Sequence, residues 1–173
     1  MSGELSAGGP AGSLDSLSFL PRPIRDPGSA WQSIAVAWAT AFFPSIILSA
    51  IVAALLPSAD QPQFNMTGPF AIFAIVVFAP VLETLIMGTV LLVLLRFVPP
   101  AAAVVMSAVG WGVAHSMAAP IWGLIIWWPF LVLSALFVAW RERSVLGAYA
   151  IAALVHGLHN LPTGLLVASG KTF

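Results

Sequence analysis

Four polar side chains stand out because each lies in otherwise apolar sequence: Glu83, His115, His156 and Asn160. A carboxylate and an imidazole brought together can polarise a water molecule for attack on a carbonyl. A second histidine and an amide can hold the oxyanion that then develops. The low dielectric of a bilayer strengthens such interactions only if water and substrate can enter. Two histidines and a carboxylate could also ligate zinc, so Glu83, His115 and His156 are the metal candidates, although no cofactor is expected. His156 and Asn160 are four residues apart and share one helix face. His159 lies close to that face and reads as a packing or hydrogen-bonding residue.

Rival chemistries lack their residues. With no cysteine there is no thiolate nucleophile, no disulfide and no sulfur-ligated metal. Neither His-Glu-x-x-His nor Gly-x-Ser-x-Gly occurs, and the aspartates all fall outside the apolar runs, which excludes an intramembrane aspartic dyad.

The elements that must position these groups follow from composition. Of 173 residues 60% are apolar and 7% charged, against about a quarter charged in a soluble domain. With a mean hydropathy of +1.02, the chain belongs in a bilayer, where helices must satisfy their own backbone. The expected fold is all-α: a polytopic transmembrane bundle of about five spans. They cover about 31–56, 69–96 (interrupted by Pro80), 101–118, 120–140 and 144–169. Pro44, Pro129 and Pro162 fall inside spans, and the carbonyls they free need partners on neighbouring helices. Residues 1–30, rich in Gly, Ser and Pro, read as a flexible cytoplasmic tail without the architecture of a cleaved signal, and 31–170 as the membrane domain.

Charge placement supplies orientation and depth. Arg22, Arg25, Arg96, Arg141 and Arg143 mark one end of the spans, with Lys171 the dissenter. The positive-inside rule then puts the N-terminus in the cytoplasm of a multi-pass inner (cell) membrane protein. Zero net charge offers no basic footprint for nucleic acid. Of twelve charged residues, Glu83 is the one inside a span. At 1.5 Å per residue it lies about 20 Å from Arg96, His115 about 23 Å from Pro100, and His156 about 20 Å from Arg143. A buried ionisable group costs several kcal/mol unless it faces the bundle interior, so these groups are expected in one polar pocket. Gly157 and Gly164 give a strip on which another helix can approach closely.

The pattern resembles the CAAX-prenyl-protease and bacteriocin-processing (CPBP or Abi) family of intramembrane proteases. Pro80-Val81-Leu82-Glu83-Thr84 is similar to the start of that family's Glu–Glu motif, Trp111-Gly112-Val113-Ala114-His115 to its aromatic-x-x-x-His motif, and His156-Gly157-Leu158-His159-Asn160 to its His-x-x-x-Asn motif. The resemblance covers about residues 70–165. It implies a CPBP-like core, an endopeptidase acting on a peptide or membrane-protein substrate, Glu83 as general base, His115 as its assistant, and His156 with Asn160 at the oxyanion. Thr84 stands where the family has its second Glu, and Gly88 where it has an Arg. Losing both is electrostatically coherent, since a buried Arg without its carboxylate is costly. It also fits a silent membrane scaffold, or an accessory subunit with a partner in a complex. A transporter is disfavoured, since five short spans show no evident repeat.

Overall fold

The computed structural model describes residues 14–170. Long helices dominate, and there are no strands among the described residues. Helix α1 spans Ala30–Leu55 and α2 spans Gly68–Leu94. Helix α3 is Pro100–Ser116, α4 is Gly123–Arg141 and α5 is Val145–Ala168. All but α3 are long and apolar enough to cross a membrane. Helix α3, at 17 residues, is about 25 Å long and completes a five-helix bundle. The outer face of α2 exposes Phe70, Phe73, Phe78, Leu82, Leu85 and Ile86 in one continuous stretch. Water would not tolerate a patch of that extent, whereas lipid does. The protein is an all-α helical membrane bundle.

Helix α4 is the axis of the bundle. From Pro129 to Trp140 every residue is buried, because α3, α1 and α5 all pack on it. Helix α1 meets it through small side chains at four-residue spacing: Ser33, Ala37, Ala41 and Ser45 are buried. Small residues let helix backbones approach where the surrounding lipid supplies no hydrophobic drive. Helix α2 packs chiefly on α5.

Two expectations are corrected. The flexible tail does not extend to residue 30: Leu14, Leu17, Leu20 and Ile24 are buried in the main core. Ser33 Oγ donates to Pro23 O at 2.8 Å, and Arg143 Nη1 to Gly28 O at 2.6 Å, which fixes this stretch to the bundle. Four apolar side chains in a Pro-rich segment sufficed to dock it. The rest of the expected tail, residues 1–13, lies outside the described residues. The second correction concerns Pro80, which does not interrupt its span. The helix widens into a π-helical segment, Phe73–Phe78, and continues as α-helix from Ala79.

The prolines account for an unusual set of bonds. Pro44 has no N–H for Thr40 O, four residues earlier, and Trp128 Nε1 of α4 donates to that carbonyl at 2.8 Å. Pro162 frees Leu158 O in the same way, and Trp38 Nε1 of α1 donates to it at 3.3 Å. In the π segment Ala79 N–H reaches back to Ala74 O. In that register Ile75 O would take its bond from residue 80, a proline. Asn160 Nδ2 of α5 donates to it instead, at 3.2 Å. Three freed carbonyls are thus met by side chains of neighbouring helices, and each bond ties two helices together.

Candidate functional site

Glu83 sits on α2 just beyond the π segment, with its side chain 25% exposed. Its Oε2 is 3.6 Å from Nε2 of His156 on α5, a separation slightly beyond hydrogen-bond length. His156 is buried, with Phe130 edge-on to its ring at 5.2 Å. The other ring nitrogen, Nδ1, lies 3.4 Å from Thr84 Oγ1. Thr84 is itself buried, and as the residue after Glu83 it stands about 100° around α2. Adjacent positions on one helix therefore bracket both nitrogens of a single histidine. With Glu83 ionised, Nε2 carries the proton toward the carboxylate and Nδ1 accepts from the threonine hydroxyl.

His115 approaches from α3. Its Nδ1 lies 2.9 Å from Trp111 O, one turn earlier on the same helix. A carbonyl only accepts, so Nδ1 carries the proton and Nε2 of the neutral ring is an acceptor. The ring is wedged among aromatics, edge-on to Trp122 at 4.8 Å and tilted on Phe130 at 5.5 Å. Trp111 in turn stacks on Phe130 at 4.4 Å. The aromatic-x-x-x-His spacing thus does two jobs: Trp111 sets the tautomer of His115 and supports the wall behind it.

These groups meet at one cavity of about 510 Å³. Glu83, His115, His156 and Asn160 all line it, as does His159. Pro129 and Phe130 of α4 line it as well, and Gln61 and Phe64 reach it from the loop before α2. Phe64 lies edge-on to Trp122 at 5.9 Å. Gly157 brings α5 against α2, since a Cβ there would stand 2.7 Å from Val76 O. Gly164 makes a similar approach to the Val76 side chain. The small-residue strip read from the sequence therefore sets the distance between the two helices that carry Glu83 and His156.

Sequence reasoning missed two contributors. Helix α1 supplies Phe42, Ser45, Ile46 and Ser49 to the cavity; it has no ionisable residue to draw attention. Thr84, noted only as a departure from the family motif, is the hydrogen-bonding partner of His156. Gly88, the second departure, faces the rings of Tyr149 and Phe137 so closely that a Cβ would collide with both. No arginine fits there. Among the described residues no three His, Cys, Asp or Glu side chains are grouped to hold a metal ion.

Comparison of the chain with protein-family models, curated proteins and solved structures finds no match.

Proposed function

We propose that the chain is an intramembrane endopeptidase that hydrolyses a peptide or membrane-protein substrate through a water activated by Glu83. The carrying observation is convergence: the one charged side chain in the long helices away from a helix end shares a cavity with all three histidines and Asn160. Glu83 takes a proton from water as the oxygen attacks the scissile carbonyl carbon. The tetrahedral intermediate collapses with cleavage of the C–N bond, and the proton returns from Glu83 to the leaving amine. One amide and one water become one acid and one amine. His156, fixed by Thr84, stands beside the carboxylate and orients it, while the Nε2 acceptor of His115 holds the water. The resemblance to the CPBP motifs supports the same reading. The arginines flanking the spans support an inner-membrane location with a cytoplasmic N-terminus.

The test is cleavage of a panel of apolar transmembrane peptides by the purified chain in proteoliposomes. Wild type is expected to cut, and Glu83→Gln to reduce kcat by about 10²–10⁴-fold, the usual contribution of a general base. Unchanged cleavage by the Gln variant sinks the mechanism.

One observation favours a second reading, a silent scaffold or accessory subunit. The position of the family's arginine is filled by the Tyr149–Phe137 contact at Gly88, so this chain has given up part of the motif. An inactive wild type across the panel, with a membrane partner that co-purifies, establishes that reading.

A further inference from the structure

We propose that His159, and not the His156–Asn160 pair, is the principal hydrogen-bond donor to the substrate carbonyl. The proposal rests on the hydrolase reading above and follows from comparing what the three histidines and Asn160 present to the cavity. His156 has one nitrogen toward Glu83 and the other toward Thr84. His115 has its proton on Trp111 O, so it presents an acceptor. Asn160 spends one N–H on the carbonyl of Ile75 that Pro80 leaves free. The hydroxyl of Ser45 donates to Ala41 O at 2.8 Å. That leaves His159.

His159 lines the cavity, and its ring stands edge-on to Phe42 with centroids 6.1 Å apart. Its Nδ1 is fully buried and has no hydrogen-bond partner among the described residues. A neutral imidazole carries one N–H and one bare nitrogen. An orphaned N–H in a buried site is rarer and costlier than an under-used acceptor, so the sealed Nδ1 is the bare one. The proton then resides on Nε2, the ring's remaining polar atom, which is left for whatever occupies the cavity. A carbonyl oxygen fits this donor, and the bond strengthens as that oxygen gains negative charge. The second N–H of Asn160, the next residue on α5, can join it. Phe42 holds the ring from α1, which gives that helix a share in positioning the substrate.

The experiment is ¹⁵N-histidine NMR of the full chain in nanodiscs, with an apolar phosphinic peptide as a tetrahedral mimic, alongside kinetics of His159→Phe and His159→Gln. His159 is expected as the Nε2–H tautomer, with ring ¹⁵N shifts that move on adding the mimic, in wild type and in Glu83→Gln alike. The Phe variant should lose about 10²–10³-fold in kcat, the usual cost of one oxyanion donor, with partial recovery in the Gln variant, which keeps an N–H. An Nδ1–H tautomer overturns the assignment. So does a response from His115 and His156 without one from His159, or full activity in His159→Phe. Silence from all three histidines instead removes the hydrolase reading, and this proposal with it.

Discussion

The two ends of the bundle are built from the same helices on opposite terms. Toward the Arg141–Arg143 turn, the core is continuous: Met87 and Leu91 of α2, Val104 and Ala108 of α3, Leu133, Leu136 and Phe137 of α4, and Ala148 and Ala152 of α5 are all buried. Its one buried polar pair on these helices, Ser134 Oγ donating to Ser107 Oγ at 2.9 Å, is satisfied internally. Toward the other end, all five helices contribute to a cavity, and polar groups are set among apolar ones on its wall. Close packing at one end permits a gap at the other, because α4 is anchored by its buried run up to Trp140. A polar site in lipid needs such an anchor, since its own groups supply little cohesion. Polar contacts between membrane helices contribute only about 0.6 kcal/mol on average.

Matched substitutions test that contrast most strongly. Phe137→Ala, at a position with no exposure, should cost about 3–5 kcal/mol through the void it leaves. Phe42→Ala faces an existing cavity and should cost less than about 1 kcal/mol, since atoms there have fewer neighbours to lose. Reversible unfolding in lipid measures both. Equal losses would mean that the two ends are packed alike.

A smaller effect comes from adding volume. Gly88→Leu drives a side chain into Tyr149 and Phe137 and should cost about 1–3 kcal/mol. Gly110→Leu on α3 meets nothing within 4 Å and should change stability by less than about 0.5 kcal/mol. If the Gly88 variant is as stable as the Gly110 variant, the core has room that the structure does not show, and an arginine could have been kept there.

What the sequence disclosed divides along the same line. Helix existence and extent were readable, because apolar runs, prolines and sparse charges mark where the helices begin and end. The shared depth of Glu83, His115 and His156 was enough to bring them to one cavity. What stayed hidden depends on rotation about a helix axis rather than on position along it. That Thr84 faces His156 while Gly88 faces Tyr149 is set by how α2 turns against α5, and the apolar sequence around them is too uniform to fix that turn. The docking of residues 14–29 was masked by their Pro and Gly content, although Leu14, Leu17, Leu20 and Ile24 carried the signal. The π segment was invisible for a different reason: Pro80 could have broken, kinked or widened its helix, and the choice rested on a donor 80 residues away in the chain.

That donor gives the finest test, at the border between the two ends. Asn160 both lines the cavity and bonds Ile75 O, so substrate contact and helix repair compete for the same side chain. If repair is its main work, Asn160→Leu should cost about 1 kcal/mol through an unsatisfied buried carbonyl. Pro80→Ala supplies a backbone N–H that can close the bond to Ile75 O within α2, so in that background Asn160→Leu should cost about half as much or less. A double-mutant cycle reads the coupling directly. Its size should be about 0.5 kcal/mol or somewhat more, close to the average for a polar contact in a membrane bundle. Additive losses would separate Asn160 from Pro80 and return the amide to the substrate. It would then stand beside His159 as an equal donor, and the polar end of the bundle would depend less on backbone repair than on its ligand.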